Sequence, residues 1–342
     1  MVTTVPVAGP GTIGPGDVDR PRAITSGTGA ADRIFRGTAR TAGGLVLVIM
    51  ALVGTFLALR AASALKVQGW SFLTESRWEP DAGHFGIAAI LLGTCLVGGV
   101  AVTFAFPLAM GTALYISEYA SRRLKRTLIG LVDLMAAVPS VVYGLWGFFF
   151  LQGHVTGFAR WLSTYLGWIP LFAVDGAHPN DPLATTTVYT SSTFIAGMVV
   201  VLMVTPIACS VMREVFSQAP LGEREGALAL GATKWGMIRA VVLPFGRGGI
   251  IGGTMLGLGR ALGETIAVYM ILSLVVSVQP HILQNGGSTV SALIASKYGE
   301  ATPFGTAALM AAGLALFCMT LVINFVASSI VARSRSGADA DA

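Results

Sequence analysis

Hydrophobic positions in this chain neither alternate nor recur at a fixed period; they fill long unbroken runs. Six such runs lie at about 41–65, 86–117, 127–151, 192–212, 248–277 and 304–332. Each reaches or exceeds the roughly 20 residues that cross a hydrocarbon core about 30 Å thick. In lipid the backbone polar groups must be satisfied within the structure, and runs without alternation cannot close into a barrel. The pattern therefore predicts an all-α membrane protein with six transmembrane helices. The runs close to 30 residues are expected to tilt, bend or extend past the bilayer, with Pro107 and Pro139 as candidate bends. Between the third and fourth runs, Val155, Phe158, Leu162, Tyr165 and Leu166 follow helical spacing beside Trp161 and Trp168. That spacing predicts a short helix at the outer interface, anchored by its aromatic residues.

Composition agrees. Only 11% of the 342 residues are charged and 54% are hydrophobic, against about 25% charged in a soluble domain. The net charge of +5 is confined to particular segments, which points to membrane topology and away from nucleic-acid binding. Arg20, Arg22, Arg33, Arg36 and Arg40 precede the first run. Arg122, Arg123, Lys125 and Arg126 follow the second, Arg213, Arg224, Lys234, Arg239 and Arg247 follow the fourth, and Arg333 and Arg335 follow the sixth. The opposite side holds Lys66, Arg77, Arg160 and Lys297. The positive-inside rule then places both termini in the cytoplasm of a multi-pass inner-membrane protein. Residues 1–32 read as a disordered cytoplasmic tail, 33–335 as the membrane domain and 336–342 as a second tail. Cys95, Cys209 and Cys318 fall within apolar runs and suit packing, with no spacing for a disulfide or a metal.

Two charges fall inside the fifth run. Arg260 is about twelve residues from its start, near mid-bilayer, where an Arg costs at least about 2.5–3.5 kcal/mol. On one continuous helix, Gly249, Gly253, Gly257, Arg260 and Glu264 share an arc of about 80°. The glycines mark a close helix approach, and both charges are expected on that face. As structure, the charges are an i,i+4 ion pair. As function, they form an anion site, in which the guanidinium fork takes phosphate oxygens. Glu264 would neutralise Arg260 in the empty state and accept a hydrogen bond from the protonated oxygen of hydrogen phosphate. The base rate for intramembrane charges favours function, and the Arg-before-Glu order is the weaker one for a helical pair. Ser140 and Tyr143 can donate hydrogen bonds to phosphate or serve helix packing. Asp133 either lines the pathway or pairs with a basic loop residue. Glu118 and Arg60 lie near run ends, where snorkelling accounts for them.

The segment 213–247 carries a longer pattern. Glu225-Gly226-Ala227, Gly231 and Val241-Val242-Leu243-Pro244 resemble the Glu-Ala-Ala signature of ABC importer permeases, with Gly226 for Ala and Val241 for Ile as departures. The local sequence predicts a short helix, a glycine break at Gly231 and a second helix leading to Pro244. Gly259-Arg260-Ala261-Leu262-Gly263-Glu264-Thr265 and Pro139-Ser140-Val141-Val142-Tyr143-Gly144-Leu145 are similar to motifs of the phosphate-specific (Pst) permeases, closer to the PstC type than to PstA. The similarity covers about residues 85–332. It implies the type I ABC importer permease fold, and a heterodimer with a PstA-like permease. It further implies two copies of a PstB-like ATPase, where ATP and Mg would bind, and an external PstS-like phosphate-binding protein. The 213–247 segment would then dock on the ATPase, with Glu225 making a polar contact and Gly226, Ala227 and Gly231 permitting close approach. The chain has no phosphate-cradling G-x-x-x-x-G-K-[ST] of its own, so it would be non-catalytic and need no cofactor or metal. Other readings are a PstA-like role, a sulfate or molybdate permease, an ion-coupled carrier with internal repeats, or an intramembrane enzyme, for which no nucleophile or metal cluster is found.

Overall fold

The computed structural model describes residues 30–175 and 186–335. The tails expected at 1–32 and 336–342 lie outside the described residues, apart from Ala30–Asp32, which open the first helix. The chain divides into two units, Met1–Val53 and Gly54–Ala342. The described part of the first is the opening stretch of helix α1 (Ala30–Gln68), whose Leu45, Val46, Leu47 and Val48 are exposed.

In the second unit, α1 finishes and a 3-10 turn, Gly69–Leu73, leads to a small hairpin, Trp78 opposite Phe85 and Glu79 opposite His84. Helix α2 (Ala88–Leu114) holds Pro107 in its interior and runs on through a π turn, Tyr115–Tyr119. Next come α3 (Arg122–Ala137), α4 (Ser140–Trp146), a π turn at Gly147–Leu151 and α5 (Gln152–Leu166). Helix α6 (Thr193–Ser217) is the most buried span. Helix α7 (Leu221–Ala229) is followed by α8 (Lys234–Met237), a π turn at Ile238–Val242 and α9 (Leu243–Gly263). Two short helices, α10 (Ile266–Ile271) and α11 (Val290–Lys297), precede α12 (Pro303–Arg335).

Among the described residues five helices are long and apolar enough to cross a membrane, and a helix pair bent by 90° makes a sixth where it is counted as one span. That bend falls at Val138-Pro139, because proline has no N–H to give and disfavours helix in the residue before it. The 3.6-residue pattern at 155–166 is helical as expected. It is not a separate short helix, since α4 runs into α5 without interruption. Its Ala159, Leu162 and Ser163 are buried, while Trp161, Tyr165 and Trp168 are exposed.

The fifth span also departs from expectation. It starts at Lys234 and ends at Gly263, instead of covering 248–277. Pro244 does not stop it. A proline removes one i→i−4 hydrogen bond and crowds the preceding turn, and the wider π turn just before it releases that geometry. After α10 the chain runs irregularly over 272–289, with its backbone held by neighbours. The Val290 amide donates to Thr94 Oγ1 (3.0 Å), and Gly93 leaves room for the Ser288 carbonyl to lie against α2. Non-helical backbone in a membrane protein survives where protein covers it in this way.

Helices α6 and α9 pack through glycine. A side chain at Gly246 would strike Phe216, one at Gly249 Val215, one at Gly253 the Ala208 carbonyl, and one at Gly257 Val204. The stripe expected from the sequence is therefore a helix contact. Gly249→Val is expected to force α9 off α6 at a cost of about 1–3 kcal/mol, lowering the thermal unfolding midpoint of the purified protein. An unchanged midpoint would show that the two helices part there without cost.

Candidate functional site

Helix α9 stops at Gly263. Glu264 is extended (φ −67°, ψ 127°), and helix resumes only at Ile266. The backbone groups freed by this break are taken up locally and from afar: Thr265 Oγ1 donates to the Gly263 carbonyl (3.2 Å), and Ser291 Oγ donates to the Glu264 carbonyl (2.8 Å). One Glu264 carboxylate oxygen accepts the Ala267 amide at 3.3 Å, capping α10. Arg260 stands in the last turn of α9. Each charge thus sits at the helix end whose dipole suits it, the cation at a C-terminus and the anion at an N-terminus. The two do not lie on one continuous helical face, contrary to the i,i+4 expectation, because the helix has ended between them. No Arg260–Glu264 ion pair is present among the described residues.

The break nevertheless brings both charges to one cavity of about 630 Å³. Ile207 of α6, Gly259, Arg260, Gly263 and Glu264 line one part, and Thr320 and Asn324 of α12 the other. Arg260 is exposed and Glu264 is buried, at 8%. Thr320 donates its hydroxyl proton to the Phe317 carbonyl (2.9 Å), leaving its oxygen as an acceptor. Guanidinium, amide and carboxylate around one space supply both donors and an acceptor for a protonated oxyanion.

The other candidates fall around this cavity or apart from it. Tyr143 donates its hydroxyl to the Met135 carbonyl (2.8 Å), bridging the Pro139 bend. Gly144 seats α4 against Ala267 and Met270 of α10. Ser140 begins α4 and is half-buried. Neither Ser140 nor Tyr143 lines the cavity. Asp133 lies on α3 and is exposed.

At the far end of α6, α7 forms a short projecting helix. Gly231 has φ +85°, the left-handed conformation that glycine adopts without cost, and the Thr233 hydroxyl caps α8 by accepting the Gly236 amide (3.1 Å). Glu225 and Gly226 are exposed, and a side chain at Gly226 or Gly231 would meet nothing within 4 Å. Ala227 turns inward and packs on the core cluster that holds Met212, Phe216 and Ile238. Leu221, Leu228, Leu230 and Trp235 stay exposed, Leu230 at 91%.

Residues 105–336 match the model of the family described as binding-protein-dependent transport system inner membrane component. The chain belongs to this family. Among curated proteins it is 39% identical to phosphate transport system permease protein PstC 2 of Mycobacterium tuberculosis, over 90% of this chain and 93% of that one. It is 41% identical to PstC of Mycobacterium leprae, over 89% and 94%, and 35% identical to PstC of Xylella fastidiosa, over 89% and 91%. Among solved structures, its fold is similar to a chain of a bacterial alginate ABC transporter (TM-score 0.56, 17% identity, 88% of this chain and 95% of that one). It is also similar to a chain of the inward-facing MetNI methionine ABC transporter (TM-score 0.51, 14% identity, 72% and 95%). This is the fold of type I ABC importer permeases, in a multi-pass inner-membrane protein of the PstC group.

In this permease, the sequence reading passed over two features. Thr320 and Asn324 are four apart in the last apolar run, and polar residues at that spacing in a span are a legible sign of an inward face. Glu118, expected to snorkel at a run end, is instead buried at its side chain and pairs with Arg224 of α7 at 3.3 Å, with side-chain exposures of 4% and 15%. Ser117 donates to the same carboxylate (2.7 Å), and Arg224 also donates to the Phe216 carbonyl at the end of α6. No local spacing announces a pair 106 residues apart.

Proposed function

We propose that this chain is the PstC-like permease subunit of an ATP-driven inorganic phosphate importer. The observation that carries the reading is the cavity at the α9–α10 break, where Arg260, Glu264 and Asn324 meet. Discontinuous helices whose ends frame a polar space are a recurrent form of membrane transport site. Arg260 would hold phosphate oxygens through its planar fork, and Glu264 would accept a hydrogen bond from the protonated oxygen of hydrogen phosphate, which sulfate lacks at neutral pH. The names of the relatives point to the same substrate.

On this reading Ser140 and Tyr143 support the site from α4, by shaping the bend against α10, and Asp133 belongs to the pathway nearer the coupling end. A PstA-like permease would form the other half of the path. A PstB-like ATPase pair would bind ATP and Mg, and an external PstS-like protein would deliver phosphate. Glu225, Gly226, Ala227 and Gly231 would couple to the ATPase: the exposed Glu225 offers a polar contact, the two glycines admit a close surface, and Ala227 anchors the helix from within. Both termini would be cytoplasmic, on the side of the Arg-rich segments. The chain itself would hydrolyse nothing, hold no metal or cofactor, and act by alternating access as the ATPases close and move α7.

Reconstituted vesicles carrying the whole complex test this. Labelled phosphate is expected to enter only with ATP and the binding protein present, and excess unlabelled sulfate is expected not to compete. Competition by sulfate would assign the site to oxyanions at large. Uptake without ATP, driven by an ion gradient, would overturn the reading.

A further inference from the structure

Helix α9 has two open sides. One meets α12 at the cavity described above; the other meets α2. On the second side lies a separate groove of about 380 Å³, lined by Phe106 and Met110 of α2 and by Arg239, Leu243, Pro244, Arg247 and Ile250. Leu243, Arg247 and Ile250 follow i, i+4, i+7 spacing and so share a face, turned from the glycine stripe that packs on α6. Phe106, Met110, Leu243 and Ile250 are half-buried at the edge of the core cluster beneath, so the groove has an apolar wall. Both guanidiniums are exposed at its rim, and neither lies within 4.0 Å of a carboxylate among the described residues.

Two unpaired arginines flanking an apolar furrow at the Arg-rich end of a span favour a bound anion. The cation pair calls for a phosphate, and the apolar wall calls for a hydrocarbon chain attached to it. We propose that this groove binds an anionic phospholipid, with Arg239 and Arg247 clasping its phosphate and Phe106, Met110, Leu243 and Ile250 holding the upper part of an acyl chain. Basic pockets between transmembrane helices recognise headgroups by the same chemistry. A free phosphate ion would satisfy the arginines and leave the apolar wall without a ligand. The lipid is therefore the occupant that uses the whole groove. It would bridge α2 and the π turn that leads into α9, next to the core on which α7 rests.

The test uses the assembled complex, stripped of lipid in detergent and titrated with phosphatidylglycerol or phosphatidylcholine while bound lipid is counted by native mass spectrometry. Phosphatidylglycerol is expected to be retained and phosphatidylcholine not, and the Arg239→Gln/Arg247→Gln variant is expected to bind phosphatidylglycerol about tenfold or more weakly. A photo-crosslinkable phosphatidylglycerol on the unaltered complex, expected to label the peptides around Phe106–Met110 and Leu243–Ile250, makes the test independent of how the variant folds. Equal retention of the two lipids, labelling confined to other helices, or an unweakened variant overturns the proposal. Displacement of the lipid by millimolar inorganic phosphate also overturns it, and would make the groove a site for the free ion. Since these readouts measure no transport, they stand or fall separately from the phosphate-importer reading.

Discussion

Arg260→Gln is expected to cut ATP-driven phosphate uptake by about 30-fold or more while the complex still assembles. Losing a hydrogen bond to a charged group, as Arg260 would give to phosphate, costs about 1.5–3 kcal/mol, and 2 kcal/mol already corresponds to roughly that factor. Glutamine keeps much of the side chain's length and its polarity, so the loss isolates charge and fork geometry. Arg260→Lys is expected to restore part of the uptake, because a lysine keeps the charge without the planar fork. Labelled uptake in vesicles measures the effect, with co-purification of the partner subunits as the control for assembly. The opposing account is that Arg260 only complements the C-terminal dipole of α9, in whose last turn it sits. That account predicts a stability loss of about 0.3–1 kcal/mol and unchanged uptake, so the two are separable. Glu264→Gln sharpens the comparison, since its amide oxygen can still cap α10 at the Ala267 amide. A transport defect with α10 intact would place the carboxylate on the path.

What the sequence made legible here is what depends on near neighbours. The apolar runs gave the spans, Pro139 gave the bend, Gly249, Gly253 and Gly257 gave the α6 contact, and Gly231 gave the break after α7. The errors arose where distant residues decide. Nothing in Gly263-Glu264-Thr265 demands a helix end, and no proline stands there; the break is held by Ser291, 27 residues on. Pro244 looks like a helix stop only until the π turn at Ile238–Val242 is known, and this shifts the fifth span toward α7. Arg260 consequently moved from mid-helix to a helix end, and its relation to Glu264 changed from a helical pair to two sides of one cavity.

The Glu118–Arg224 pair leads to a different kind of failure, in which the substrate site is intact and the drive is lost. Arg224 reaches from α7 to the π turn that ends α2 and to the Phe216 carbonyl near the end of α6, so one side chain ties the projecting helix to two spans. Taking away Glu118 alone leaves a guanidinium largely buried, and one-sided removal of a buried pair costs about 3–5 kcal/mol. Its Nε is already buried without a hydrogen-bond partner, so it has no spare contacts to fall back on. Glu118→Ala is therefore expected to loosen α7 and to lower uptake per ATP hydrolysed, while phosphate still protects the cavity from chemical labelling at a cysteine placed at Leu256, which also lines it. Arg224→Ala should behave alike, and the double variant should be less impaired than the two single losses together, because no uncompensated charge remains. The Arg224 link to the Phe216 carbonyl is lost in both the single and the double variant, so the non-additivity reports on the ion pair alone. Strictly additive effects, or an uptake-to-hydrolysis ratio that does not change in any variant, would reduce the pair to one more core contact.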